Sequence, residues 1–345
     1  MKKINFAIIG TGNIAKIHAR ALLHIPEAEL VAVLSRHGNA RNILPENSKA
    51  ICTNDPDVIL NDPKIDVLAI CTPSGAHADI AIPAAQKGKH LLIEKPIEIT
   101  LEKIDQIIET CRKAEVRLAG VFHTRFRPGV AKTAEAIRNG RLGRINLIQG
   151  SVKWFRPEDY YAGTWRGTLA LDGGGALMNQ SIHTIDLVQW FGGPVKSVFG
   201  KVDTRIHDIE AEDTGSALLE FKSGALGVIQ GATSCWPGDP ARVEIHGEKG
   251  NVILEEGRIV QWKLQDTGDE EEQQILNLDT VTGGGAADPM GISYEFHRLQ
   301  MLDLIHAIKE QREPEVGGAE VRKAVEIILA IYQSSQENKP VQLPL

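Results

Sequence analysis

The block Glu94-Lys95-Pro96 places an acid, a base and a proline at the end of a short apolar run. Proline restricts the residue before it to extended backbone, so we expect the side chain of Lys95 to point off the end of a strand. A lysine changes its pKa readily when it leaves water, which suits it to take or return a hydroxyl proton near neutral pH. Lys95 is therefore a candidate for acid–base chemistry; the alternative is an ordinary surface lysine.

A second block, DGGG at residues 172–175, leads into residues 176–191, whose apolar spacing predicts a helix. Asn179, His183 and Asp186 lie at i, i+4 and i+7 and would share one face of that helix. A polar stripe with a histidine at its centre favours a substrate site. No metal is expected there, because asparagine is a poor ligand and no cysteine or glutamate joins the set. The alternative for His183 is a hydrogen-bonded structural histidine.

Residues 10–15, GTGNIA, match the pattern G-x-G-x-x-G/A between a predicted strand and a predicted helix. Gly10 would allow the tight turn, Gly12 would let the backbone approach a pyrophosphate, and the final alanine would let helix and strand pack closely. The phosphates would lie at the positive N-terminus of the helix, beside Asn13 and Ile14. This context favours a dinucleotide site over the alternative, a tight turn without a ligand.

The end of the second predicted strand bears on the type of dinucleotide. An aspartate or glutamate is usual there when the adenosine ribose carries a free 2′-hydroxyl, but residues 33–37 read VLSRH. Ser35 could donate to a 2′-phosphate, and Arg36 could pair with it or stack on adenine. The sequence therefore favours NADP over NAD, with a solvated surface position as the alternative for Arg36.

Short apolar runs alternate with helical patterns over the first 124 residues, as in a doubly wound parallel sheet of the α/β class. The predicted strands are 4–9, 30–34, 67–71, 90–93 and 117–121, and the predicted helices include 13–24, 76–87 and 101–114 with Thr100 as N-cap. Ligands of such sheets bind beyond the carboxyl ends of the strands. The candidate residues at that edge are Thr72, Pro73, His77, Glu94, Lys95, His123 and Arg125.

The pattern changes after residue 125. Hairpin signals between 217 and 264 predict an antiparallel meander, so the second domain is expected to be α+β with an open, mostly antiparallel sheet. We predict a doubly wound, dinucleotide-binding domain over 1–124 and an α+β domain over 125–345, with the last helices free to pack back on the first domain. The other predictions are a helix at 130–139, a strand at 145–155, a long mobile loop at 265–291 containing Gly283–Gly285, and helices at 293–311 and 318–334.

The composition excludes several classes of partner. The chain has 345 residues with 38 Lys and Arg against 45 Asp and Glu, a net charge of −7 that gives no reason to expect nucleic acid or an anionic membrane. No apolar stretch approaches the ~20 residues of a membrane-spanning helix. The four cysteines are scattered without a C-x-x-C pair, so we expect reduced thiols and a cytoplasmic protein.

The motifs together resemble the glucose–fructose oxidoreductase/inositol dehydrogenase/MocA (Gfo/Idh/MocA) family of nicotinamide-dependent oxidoreductases. The similar blocks are residues 10–15, Glu94-Lys95-Pro96, the glycine run that leads to His183, and IHGEKG at 245–250. The resemblance implies a Rossmann domain, and a C-terminal sheet that forms a homodimer or homotetramer. It also implies that Lys95 is the catalytic proton carrier, that His183 orients the substrate, and that Trp165-Arg166 approach the cofactor and the substrate.

One departure from the family pattern affects the expected mechanism. Many of its dehydrogenases have an aspartate where this chain has Asn179, and an amide can bond a sugar hydroxyl but cannot take its proton. We therefore expect Lys95 and His183 to carry the acid–base work, with Arg125 and Asn179 as further substrate contacts. The predicted reaction is hydride transfer between a nicotinamide and a sugar or polyol hydroxyl. The alternatives are an NAD-dependent glycosidase that uses transient oxidation and a non-catalytic dinucleotide-sensing protein.

Overall fold

The computed structural model describes residues 3–278 and 293–345. The chain divides into two compact units. The first comprises Met1–His123 and Ile292–Arg322, and the second comprises Thr124–Gly291 and Lys323–Leu345. Each unit is built around its own sheet, and within the described ranges no helix combines the length and the apolar character that crossing a bilayer requires.

The first unit contains a parallel sheet with strand order β3-β2-β1-β4-β5-β6 in its described part, as predicted for a doubly wound domain. Its strands are β1 (Ile4–Ile9), β2 (Ala28–Leu34), β3 (Ile51–Thr53), β4 (Val67–Ile70), β5 (His90–Ile93) and β6 (Leu118–Gly120). The central strands are apolar along their length because helices cover both faces of the sheet. β3 is a short edge strand that the sequence pattern did not predict.

The first four helices of the chain are α1 (Asn13–Leu23), α2 (Pro56–Leu60), α3 (His77–Gln86) and α4 (Leu101–Lys113). Three of them, α1, α3 and α4, begin within one residue of the predicted start, whereas the short α2 was not predicted. The predicted N-cap of α4 is confirmed, since Oγ1 of Thr100 accepts a hydrogen bond from the backbone N–H of Lys103 at 3.4 Å.

The second unit contains a mixed sheet with strand order β13-β12-β11-β7-β10-β9-β8-β14 in its described part. Its strands are β7 (Ile145–Lys153), β8 (Val195–Asp203), β9 (Thr214–Phe221), β10 (Leu226–Ala232), β11 (Arg242–Gly247), β12 (Gly250–Glu255), β13 (Arg258–Leu264) and β14 (Val341–Gln342). Only the β7–β10 pair is parallel among the described pairs, which confirms the mostly antiparallel sheet. Sequence reasoning missed β8, whose exposed and buried residues alternate, and the two-residue β14.

Five further helices follow along the chain, and one of them corrects a prediction. They are α5 (Pro128–Arg138), α6 (Ile182–Gly192), α7 (Asp269–Leu276), α8 (Glu295–Glu310) and α9 (Gly318–Glu337). The loop predicted over 265–291 is wrong at α7, where acidic residues in the first turn favour the helix N-terminus and Arg141 pairs with Glu271 at 2.7 Å. Residues 279–291, including the three glycines at 283–285, lie outside the described residues.

The segment 176–191, predicted as one α-helix, is a π-helical turn over Ala176–Ser181 followed by α6. The hydroxyl of Ser181 donates to the carbonyl of Ala176 at 2.6 Å, which matches the wider π turn. Gly150 on β7 lets α6 lie close to the sheet, because a Cβ at Gly150 would come within 2.6 Å of the Val188 side chain. The sheet therefore fixes the segment that carries Asn179 and His183.

Candidate functional site

The dinucleotide loop of the first unit has the backbone that its motif requires. Gly10 has φ +108°, and a Cβ there would lie 2.6 Å from the carbonyl oxygen of Cys71, so a larger residue is excluded. A Cβ on Gly12, the N-cap of α1, would meet no atom within 4 Å, and no side chain caps the helix. This open, uncapped helix N-terminus fits a pyrophosphate, with Asn13 exposed in its first turn.

At the end of β2 the structure shows a hydrogen-bonded group that sequence reasoning did not find. Asn39 Oδ1 accepts from Thr11 Oγ1 at 2.7 Å and from the hydroxyl of Ser35, which is buried. Arg36 and His37 are exposed. Asn39 thus connects the phosphate loop to the turn after β2. Of the two residues predicted to contact the adenosine ribose, Ser35 is buried and Arg36 is exposed.

Glu94 is held by a buried histidine of α1. His18 Nε2 lies 2.7 Å from Glu94 Oε1, with 0% and 8% of the two side chains exposed. Burial alone lowers the pKa of His18, but the charges and hydrogen bonds of Cys71 and Glu94 outweigh it and raise that pKa to about 10. Burial alone raises the pKa of Glu94, and the bond and charge of His18 outweigh it and lower that pKa to about 2. The two groups form an ion pair.

The carboxylate of this ion pair also contacts the backbone of Lys95. Glu94 Oε2 accepts the N–H of Lys95 at 3.1 Å, and the charge of Lys95 also lowers the pKa of Glu94. Lys95 is half-buried, directly after β5 at the carboxyl edge of the sheet. The sequence prediction put Lys95 at this edge but did not identify His18 as the residue that anchors the block.

His77, predicted to bind the cofactor, is engaged with the backbone inside the first unit. Its Nδ1 lies 3.0 Å from the carbonyl of Pro96 and its Nε2 lies 2.9 Å from the carbonyl of Thr72. The side chain is buried, and burial lowers its pKa, so the neutral ring donates to only one of these carbonyls. The structure places His77 between two loops of the carboxyl edge, with Thr72 and Pro73 half-buried beside it.

A third histidine, His297 of α8, completes a buried cluster that the sequence did not predict. Its ring stacks on His123 at 4.2 Å and meets His18 edge-on at 5.4 Å. Burial, with the charge of His18, lowers the pKa of His297 to about 4, partly offset by Glu94 and the Ser293 backbone. Within the described ranges, His18, Glu94 and His297 are the group whose donor atoms, all within 4.8 Å of one another, could hold a metal ion. Such an ion would have to break the His18–Glu94 ion pair.

In the second unit, Asn179 is fixed by the carboxylate of Asp172. Asn179 Nδ2 donates to Asp172 Oδ1, and the other oxygen of Asp172 accepts the Gly167 N–H at 2.8 Å. Asn179 Oδ1 accepts from Gln180 Nε2 at 2.7 Å. Asp172 is buried, whereas Asn179 and His183 are half-buried, so both side chains reach the surface of this unit.

Asp186 and Arg125 form a buried ion pair in the second unit. Asp186 was expected to share the polar face with Asn179 and His183, but only 1% of its side chain is exposed. Arg125, predicted to contact substrate, pairs with it through Nε–Oδ2 at 2.8 Å and Nη2–Oδ1 at 2.6 Å. The guanidinium also lies 4.7 Å from the ring of Trp190. The pair is a buried structural link from the turn before α5 to α6.

The segment around Trp165 and Arg166 forms an aromatic and cationic cluster. Both residues are half-buried, and the Arg166 guanidinium lies 4.6 Å from the Tyr160 ring and 5.7 Å from that of Trp165. A second arginine, Arg156, lies 5.5 Å from the same tyrosine ring. Sequence reasoning identified Trp165 and Arg166 but missed Arg156, although the run WFRPEDYY at 154–161 is unusually rich in these types.

The comparisons with known proteins cover both units. Residues 4–122 match the family described as oxidoreductase family, NAD-binding Rossmann fold, and residues 130–253 match the GFO/IDH/MocA C-terminal domain. The chain is 28% identical to myo-inositol 2-dehydrogenase of Thermotoga maritima over 99% of the chain and 98% of that protein.

Two solved structures are also similar over the whole chain. The WlbA dehydrogenase of Bordetella pertussis, in complex with NADH and UDP-GlcNAcA, is 32% identical with a TM-score of 0.88, covering 100% of this chain and 99% of that one. The WlbA dehydrogenase of Chromobacterium violaceum, in complex with the same two molecules, is 31% identical with a TM-score of 0.88, covering 100% and 97%.

Proposed function

Because the chain belongs to the Gfo/Idh/MocA family of NAD-binding oxidoreductases that act on CH–OH groups, we propose that Lys95 carries the proton when hydride moves between nicotinamide and a sugar, polyol or sugar derivative. The observation that carries this proposal is the hydrogen bond from the Lys95 backbone N–H to Glu94, at the strand edge beside the phosphate loop. The matched relatives are named dehydrogenases, which favours this reaction over the glycosidase and the non-catalytic alternatives.

The protein's part in this reaction is proton handling and orientation. The nicotinamide, when bound, supplies the hydride acceptor or donor. Nζ of Lys95 takes the hydroxyl proton as the alcohol is oxidised and returns it when the ketone is reduced. Asn179, fixed by Asp172, offers an amide to a substrate hydroxyl, and His183 orients the same group. Asn179 cannot accept the proton, so that work falls to Lys95 and His183.

The cofactor would be held mainly by the first unit. Gly10, Gly12 and the α1 N-terminus fit the pyrophosphate. We propose that NADP(H) is preferred over NAD(H), because exposed Arg36 stands where NAD enzymes usually have a carboxylate. The support from Ser35 is weaker, since its hydroxyl donates to Asn39. The test compares KM for both cofactors in the wild type and Arg36→Ala; an NAD preference that survives the substitution would refute it.

The quaternary structure and location are also part of the proposal. Large apolar residues are exposed on the sheet of the second unit, namely Leu147, Phe199, Leu218, Leu226 and Val260. Covering them by a second copy would bury apolar surface, so we propose a homodimer or homotetramer formed by this sheet. All four cysteines are free, which supports a cytoplasmic location. Light scattering coupled to size-exclusion chromatography tests the oligomer, and a monomer at micromolar concentration would contradict it.

A substrate panel read by nicotinamide absorbance tests the reaction itself. It contains inositols, neutral hexoses, hexuronates and a UDP-linked amino-sugar acid of the kind bound in the two WlbA structures. We expect oxidation of at least one compound at a secondary hydroxyl, with one reduced nicotinamide formed per ketone. Enzyme that purifies with cofactor and cleaves glycosides without net nicotinamide turnover would instead favour the glycosidase.

A further inference from the structure

Two arginines of the second unit share the ring of Tyr160 and have no carboxylate partner among the described residues. The Arg156 guanidinium lies 5.5 Å and that of Arg166 lies 4.6 Å from the centre of this ring. Arg156 also lies 4.7 Å from the ring of Trp154. Exposed Glu158 and Asp159 precede Tyr160 in sequence and form no ion pair with either arginine in the described structure.

Arg156 is buried, and its hydrogen bonds go only to neutral groups. Only 3% of the residue is exposed. Nε and Nη2 donate to Gln180 Oε1 at 3.2 and 2.9 Å, and Nη1 donates to the carbonyl of Phe155 at 3.3 Å. Burial lowers the pKa of Arg156, and among the charges that act on it Glu256 has the smallest effect. A buried cation without a counterion is costly, so this position calls for an anion.

Arg125 shows how this unit accommodates a buried arginine that has a carboxylate partner. It is as deeply buried as Arg156, and it donates two hydrogen bonds to the carboxylate of Asp186. Arg156 has only an amide and a carbonyl in the corresponding positions. The difference indicates that the counterion of Arg156 comes from outside the protein.

The two arginines are linked to the proposed substrate residue through one amide. Gln180 Nε2 donates to the hydroxyl of Tyr160 at 2.8 Å and to Asn179 Oδ1 at 2.7 Å, while its oxygen accepts from Arg156. All of these residues belong to the second unit. An anionic group bound at Tyr160 would therefore lie on the same hydrogen-bonded network as the amide that meets the reacting hydroxyl.

We propose that Arg156 and Arg166 form, around Tyr160, a binding site for a carboxylate on the sugar, which makes sugar acids the preferred substrate class. This inference rests on the proposed function, because it concerns the substrate of that reaction. Guanidinium groups bind carboxylates through paired hydrogen bonds, and the flat faces of Tyr160 and Trp165 suit the apolar face of a sugar ring.

The test measures binding to the NADPH-loaded enzyme by calorimetry, with three hexoses that differ only at C6: D-glucose, D-glucuronate and D-glucose 6-phosphate. We expect glucuronate to bind at least about tenfold more tightly than glucose, and the advantage to shrink as salt is added. Equal binding of glucose and glucuronate would overturn the proposal. Tightest binding of the phosphate would overturn the carboxylate assignment.

Variants connect this selectivity to the residues. Arg166→Gln and Arg156→Gln should each reduce the glucuronate advantage about tenfold and leave glucose binding within about twofold, and Arg166→Lys should restore part of it. Arg144→Gln is the matched control, because Arg144 is exposed and paired with Glu248. Unchanged selectivity in Arg166→Gln, or a loss of NADPH affinity in place of glucuronate affinity, would refute the inference. If Arg156→Gln fails to fold, the half-buried Arg166 carries the test alone.

This experiment separates the inference from the proposed function. Lys95→Met should retain the full preference for glucuronate, since binding requires no turnover. Selective binding with no oxidation of any compound in the panel would refute the proposed reaction and keep the carboxylate site. Turnover of neutral sugars without selectivity for sugar acids would refute the carboxylate site and support the proposed reaction.

Discussion

His18 Nε2 lies 2.7 Å from Glu94 Oε1 in the interior of the first unit, and the second oxygen of Glu94 accepts the backbone N–H of Lys95. A side chain of α1 thereby fixes the backbone that carries the proposed proton carrier. Its raised pKa keeps His18 charged below about pH 10, and the lowered pKa keeps Glu94 charged above about pH 2. The link is therefore ionised at neutral pH.

Replacing His18 with glutamine should lower the free energy of unfolding by about 3–5 kcal/mol, because Glu94 would be left as a buried charge without its counterion. Chemical denaturation at pH 7 measures the change. His306→Gln is the control, since His306 is half-exposed and lies 3.7 Å from Glu27 at the surface. Equal losses of unfolding free energy in the two variants would show that the buried pair stabilises the fold no more than the surface contact of His306 does.

His297 predicts how stability depends on pH. Its pKa is about 4 in the folded protein and about 6.5 when unfolded, so between these values the unfolded chain binds the extra proton. Stability should therefore rise from pH 4 to pH 6.5, by at most about 1.4 kcal/mol per pH unit from this group. His18, Glu94, His123 and the Ser293 backbone face His297, and Glu94 titrates below this window.

The substitution His297→Phe isolates that contribution. Phenylalanine keeps an aromatic ring against His123 and removes the titrating nitrogens, so the slope between pH 4 and 6.5 should flatten. Urea denaturation at half-unit pH steps measures both proteins. An unchanged slope in the variant would assign the pH dependence to other groups.

Lys95→Met should reduce kcat by about 10²–10⁴ while the affinity for the nicotinamide cofactor, measured by fluorescence titration, stays close to that of the wild type. Removing the amino group takes away the acceptor of the hydroxyl proton and leaves the phosphate loop intact. Lys87→Met serves as the control because Lys87 is exposed after α3 in the same unit. Wild-type turnover in Lys95→Met would refute the proton-carrier role.

Arg125 and Asp186 should behave as one structural unit. Arg125→Met or Asp186→Asn alone should cost about 3–5 kcal/mol of unfolding free energy, whereas the double variant should cost less than the sum of the two. Thermal or urea unfolding of the four proteins in the cycle gives the coupling. Additive losses, together with a raised substrate KM in a normally stable Arg125→Met, would restore the substrate role that the sequence suggested.

The sequence was most informative where function or conformation depends on a local rule. The glycines of residues 10–15, the Thr100 cap and the hairpin turns each follow from a few neighbouring residues, and the fold class follows from them. Pairings between distant segments carry no such local signal. His297 contacts His18 only because α8 packs on α1. Asp186 is buried because it pairs with Arg125, which lies 61 residues earlier in the sequence.

One feature of the fold affects how the protein is made. Met301, Leu304 and Ile305 of α8 belong to the same buried core as Phe6 and Ile8, so the nucleotide-binding unit is built from two segments that lie far apart in the sequence. A ribosome that has released only the first 123 residues has not yet supplied the apolar side chains that complete this core. The unit can therefore reach its final packing, and with it the His18–Glu94–His297 cluster, only after α8 has also been synthesised.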